Sequence, residues 1–181
     1  MLKTLQNAFR VKEVRQKLVY TFMMLIVFRI GSQMPIPGAN TSFFDELFAR
    51  YNNDAFGFLN SITGGSLTNM SVFALSITPY ITSSIIMQLL TIAIPKLEEM
   101  QRDGEEGRKK IQEYTRYLTV GLALMQSAAM AIGFGGQGLL LDFTALNVIV
   151  TVATMTAGSA VLMWIGERIT ENGVGNGISI V

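Results

Sequence analysis

Cysteine and histidine are both absent from the 181-residue chain. Their absence removes disulfides, thiol chemistry, the commonest zinc ligands and the usual neutral-pH general base together. Metal-dependent and triad enzymology are therefore not expected, and no cofactor or metal site is assigned. Charge is scarce as well: charged residues make up 15%, with fourteen Lys and Arg against thirteen Asp and Glu. A net charge of +1 gives no overall basic field for nucleic acid, so what matters is how the basic residues are distributed along the chain. The carboxylates sit almost entirely in the hydrophilic segments. What the chain has in quantity is apolar surface: half its residues are hydrophobic and the mean hydropathy is +0.40, the composition of a membrane protein.

Four stretches approach or reach the roughly 20 apolar residues that span a hydrocarbon core, at 18–34, 72–94, 117–134 and 145–165. Of these only the first carries a charge, Arg29, near one end where its side chain can reach the headgroups. That first run follows a basic segment as a signal peptide does, but it is too long and lacks a small-x-small cleavage site, so it reads as retained. Before it, residues 1–17 place Leu2, Leu5 and Phe9 opposite Lys3, Arg10 and Lys17, the pattern of a helix lying on an anionic membrane surface.

Orientation follows from the basic residues, because positive charge is retained on the cytoplasmic side. Residues 1–17, 95–116 and 166–177 together hold twelve Lys and Arg, whereas the opposite connections, 35–71 and 135–144, hold only Arg50. The N-terminus is accordingly expected in the cytoplasm.

The outer segment 35–71 mixes turn signals with apolar patches too short to span. It fits either a re-entrant, funnel-lining element or an ordinary loop carrying a surface helix. In 95–116, six acidic and six basic residues surround a Gly-flanked turn at 103–107. Pro95 favours ending the helix before it, and the charged stretch can carry that helix and the next beyond the bilayer as a hairpin. The chain closes on "GVGNGISIV", which reads as a short turn into a fifth span of which 178–181 is the first turn, within a larger membrane protein.

Two glycine motifs invite a nucleotide-binding reading and do not support it. "GFGGQG" at 133–138 follows a membrane span and not a strand, and no acidic residue stands about 20 positions on. "GVGNGI" at 173–178 lacks the Gly-Lys-Ser/Thr ending of a P-loop and reads as a turn into a helix.

The second span is the unusual one. Residues 75–95 carry no charge, yet they include six Ser or Thr, a Tyr and a Gln. At helical spacing Ile77, Ile81, Ser84, Gln88 and Thr91 form one stripe, aliphatic at one end and polar at the other. Pro79 is tolerated if the regular helix starts just before it. The polar groups suit hydrogen bonding to neighbouring helices or to their own backbone. They equally suit a face that borders a cavity or an opening seam, with the isoleucines as a hydrophobic constriction. The third span repeats the theme, with Thr119 and Gln126 seven residues apart beside Ser127.

Taken together, "FRIGSQMPIPG" at 28–38, "ITGGSLTNMSVFALSITPYITSSIIMQLL" at 62–90, "YTRYLTVGLALMQS" at 114–127 and "WIGERITENGVGNGISIV" at 164–181 resemble the SecY/Sec61-alpha family, pore subunits of protein-export channels. The resemblance covers most of the chain in the family's order. It implies an all-α polytopic membrane bundle, the N-terminal half of a ten-helix clamshell. It also implies a passive pore that exports unfolded polypeptides across the bacterial cytoplasmic membrane and inserts helices into it, without being an enzyme. Ile77 and Ile81 match members of the family's aliphatic pore ring. Ser84, Gln88, Thr91, Thr119 and Gln126 fall at its lateral gate. The segment 56–65 matches its plug, with Phe58, Leu59, Asn60, Ser61 and Ile62 in the moving element and Gly64 and Gly65 as the hinge. The partners implied are small SecE-type and SecG-type membrane subunits, the ribosome, the SecA motor, signal sequences and nascent polypeptides, and membrane lipid. A secondary transporter and a structural membrane scaffold are the alternatives; the first predicts an ionisable residue or broken helix at the midplane, the second a stripe with no effect on permeability.

Overall fold

The computed structural model describes residues 11–44, 46–47, 66 and 68–180. Among them the chain is helical, with isolated bridges pairing Pro35 with Ser71 and Ala39 with Leu140. Its elements are α1 (Lys12–Gly31), α2 (Thr78–Ala93), α3 (Pro95–Arg102), α4 (Glu105–Phe134), a π-type turn at Gly135–Leu139, α5 (Ala145–Asn172) and a short α6 (Gly177–Ile180). Two helices, α4 with its π-type extension and α5, are each long and apolar enough to cross a membrane. The α2 and α3 pair passes the same test only jointly, because neither half is long enough alone, and its halves are bent by 102°.

Helix boundaries depart from the hydropathy runs for local reasons. Rather than starting at the apolar run, α1 begins at Lys12, because the residues from Lys12 to Lys17 are good helix formers and neither Pro nor Gly interrupts them. At α2 the opposite happens: residues 72–77 are turns and the helix starts only at Thr78. Met70 and Ser76 hold positive φ, at 44° and 54°, a conformation that cannot continue into a right-handed helix. Pro79 then falls in the first turn of α2, where its missing N–H costs nothing. At the other end Ile94 is extended, as a residue before proline must be, and Pro95 opens α3 in a new direction. The charged stretch thus prolongs α4, which starts twelve residues before the apolar run, but it does not prolong α2 in a straight line.

Packing centres on α4. Thr115, Thr119, Ala123, Ser127 and Ala131 are buried at every fourth position, a line of small side chains that lets neighbouring helices approach closely. On α5, Gly158 lies so near the chain before α2 that a Cβ there would sit 2.0 Å from the carbonyl oxygen of Val72. At one end of the bundle Ile36, Phe43, Phe44, Met70, Leu139 and Met155 form an apolar cluster. A second cluster joins Phe73 to Leu162, Ile165 and Ile169 of α5, with Phe28 of α1 stacked on Phe73 at 5.9 Å. At the start of α6, Asn176 caps the helix, its side-chain oxygen accepting from the Ile178 N–H at 3.1 Å. The preceding turn is fastened to α1, where Thr21 Oγ1 accepts from the Val174 N–H at 3.1 Å.

Candidate functional site

The site is built on α2 and the faces of α4 and α5 that meet it. Three of the six hydroxyls of α2 are satisfied within their own helix: Thr82 donates to the Thr78 carbonyl, Ser83 to Pro79 and Thr91 to Met87, at 3.0, 2.7 and 2.7 Å. This local back-bonding lets Ser and Thr enter an apolar helix without a partner elsewhere. On α4, Thr119 is fully buried and donates to the Thr115 carbonyl at 2.7 Å, and Ser127 reaches across to Thr156 of α5 at 3.1 Å. Gln126, one position before Ser127, is half-buried.

The stripe is not uniform in its surroundings. Ile77 is the residue before the first turn of α2 and is buried against Tyr80, Met163 and Ile178. Its backbone is not helical, so projection along the helix does not give its direction. Ile81, one turn on, is 42% exposed. Ser84 is half-buried, Gln88 exposed and Thr91 buried. Ser84, Gln88 and Thr91 nevertheless converge with Tyr80, and with Arg108 and Gln112 of α4, around a groove of about 290 Å³. That groove is bordered by amide and hydroxyl groups over an apolar floor. It offers hydrogen bonding and steric closure, and among the described residues there is no cluster able to hold a metal ion.

Sequence reasoning missed a polar constellation beside this groove. Glu167 of α5, only 8% exposed, receives Arg116 of α4 on both carboxylate oxygens: Nε to Oε1 at 3.0 Å and a second guanidinium nitrogen to Oε2 at 2.9 Å. Gln112, one turn earlier on α4, donates to the same Oε1 at 3.0 Å. The i, i+4 spacing of Gln112 and Arg116 was visible, but nothing in spacing alone connects them to a carboxylate 51 residues away. The plug residues Phe58, Leu59, Asn60, Ser61, Ile62, Gly64 and Gly65 lie outside the described residues.

Comparison with known proteins gives a consistent result. A family model described as SecY matches residues 71–181. The "Protein translocase subunit SecY" of Halalkalibacterium halodurans is 47% identical over the whole chain, and that of Bacillus subtilis 44%. The Pseudomonas aeruginosa subunit is 46% identical over 93% of the chain. The chain spans 42% of the length of the first two relatives and 38% of the third. Two solved structures share the fold at 21% identity, each over 92% of this chain. One is a SecY protein studied for its plug domain, with a TM-score of 0.61 and 34% of its chain covered; the other is Sec61 in the canine ribosome-channel complex from the endoplasmic reticulum, with 0.58 and 35%.

Proposed function

The chain belongs to the SecY family, and from that premise we propose that it forms one side of a passive protein-conducting channel. Unfolded polypeptides pass through that channel, and sufficiently apolar segments leave it sideways into lipid. The observation that carries this reading is the outward edge of α2, where exposed Ile81 precedes exposed Gln88 beside a groove of polar side chains. An edge that is aliphatic and then polar suits a constriction that dewets next to a seam that hydrates on opening.

In this reading Ile77 and Ile81 belong to the pore ring, with Ile77 buttressed from behind by Tyr80, Met163 and Ile178. Ser84, Gln88, Thr91 and Gln126 form the near edge of the lateral gate, and buried Thr119 sets the packing behind it. The plug is assigned to 56–65 from the resemblance. The basic residues put the N-terminus and the α3 hairpin on the cytoplasmic side of a bacterial cytoplasmic membrane. Energy would come from a ribosome or a SecA-type motor, with SecE-type and SecG-type subunits beside the channel. A gate whose polar edge is only partly satisfied when shut sits close to balance, so an apolar segment with higher affinity for the open state shifts it.

The test is resting ion conductance of the complete protein in planar bilayers. Replacing Ile77 and Ile81 together by Gly removes both side chains from the constriction and is expected to raise the leak several-fold. An unchanged conductance would count against the ring.

A further inference from the structure

We propose that Glu167 is a positioning residue for the lateral gate: its carboxylate clamps two consecutive turns of α4 to α5, so that the gate edge of α4 is carried by α5 as one body. The inference rests on the channel reading and goes beyond it by naming a buried group outside the stripe of α2.

The geometry is specific. Arg116 engages both oxygens of Glu167, and Gln112 adds a second donor to Oε1 from one turn away. A carboxylate at 8% exposure has lost most of its hydration, so these donors replace water, and moving α4 away from α5 would leave a buried charge uncompensated. The same Gln112 lines the groove with Tyr80, Ser84 and Gln88 of α2. The clamp and the groove therefore share a side chain, and α4 cannot roll on α5 at this level without changing the groove wall. Further along α4, Ser127 lies 3.1 Å from Thr156 of α5, a second polar contact between the same two helices, with Gln126 beside it in sequence. By contrast α2 ends at a 102° break, and three of its six hydroxyls, those of Thr82, Ser83 and Thr91, are spent on its own backbone. Motion at the groove accordingly falls to α2, with α4 and α5 as the fixed side.

The experiment uses the complete protein reconstituted in lipid vesicles. Spin labels on cysteines introduced as Glu113→Cys and Asn172→Cys, both exposed positions, report the α4–α5 distance. In parallel, insertion of a marginally apolar segment is measured. Glu167→Ala is expected to broaden the distance distribution and to raise insertion of the marginal segment about fivefold, the low end of coupling between sites. Should that variant not fold, the pair Arg116→Met with Glu167→Met fills the space without leaving a buried charge, and the same two changes are expected. A narrow, unshifted distance distribution in whichever variant folds overturns the clamp, since packing alone would then hold the helices. Gln88→Leu is the control for the channel reading. If it alters the insertion threshold while the clamp variants leave insertion unchanged, the clamp fails and the gate stands; if it leaves the threshold alone, the gate reading itself is lost.

Discussion

Two residues, Met70 and Ser76, hold backbone conformations that non-glycine side chains disfavour, and they respond oppositely to the same substitution. Each left-handed residue costs about 1–2 kcal/mol. Ser76 is half-buried, so Ser76→Gly removes that strain and loses little packing, while the added freedom of the unfolded chain takes back only about 0.5–1 kcal/mol. The net effect is a gain of a few tenths to about 1 kcal/mol. Met70 is fully buried in the cluster around Ile36 and Leu139. Deleting its side chain forfeits about 2–5 kcal/mol of core packing, which outweighs the strain relieved. Thermal denaturation of the complete protein in detergent checks both signs: Ser76→Gly is expected to melt higher than the parent, Met70→Gly lower. A drop for Ser76→Gly would show that its turn is not strained. The residue scale also marks the limit of pattern reading. Ile77 and Ile81 look equivalent on a helical projection, yet one is packed and the other exposed, because Ile77 precedes the helix.

At the scale of elements, helices lie on the apolar runs but their ends do not follow hydropathy, and only α4 with its extension and α5 are each long and apolar enough to cross a membrane. Hydropathy marks where lipid can touch a helix, whereas helix ends are set by backbone conformation. So α4 and α5 overrun their apolar runs on charged residues that favour helix, and α2 falls short because of turn geometry carried by residues with no turn signature. The hairpin of α3 and α4 was legible at its glycines. A Cβ on Gly107 would lie 1.6 Å from the Met100 carbonyl oxygen, so any larger residue must push α3 away, at a cost of about 1–3 kcal/mol for overpacking. Gly107→Val is expected to lengthen the distance between spin labels on α3 and α4. An unaltered distance would mean that the close approach at Gly107 does not hold the hairpin. The candidate site divides in the same way: the polar edge of α2 could be read from periodicity, but the Glu167 clamp joins helices whose facing register no single sequence displays.

At the scale of the whole molecule, the bundle leaves much apolar surface uncovered. Phe22 and Ile30 of α1, Ile92 of α2 and Ile149 of α5 are 59% to 80% exposed. Such surface suits a protein whose surroundings are lipid or other membrane helices. Within it the edge of α2 differs, because Gln88 has an amide to hydrate and a polar groove beside it. Its role as a channel lining requires that edge to meet water, so the most direct measurement is chemical. Cysteines introduced as Ile81→Cys and Gln88→Cys in the complete protein, in native membranes, are exposed to a membrane-impermeant thiol reagent with and without a stalled polypeptide in transit. Both positions are expected to be modified, and the stalled chain to slow the modification. Two sites that stay unmodified throughout active export would contradict it.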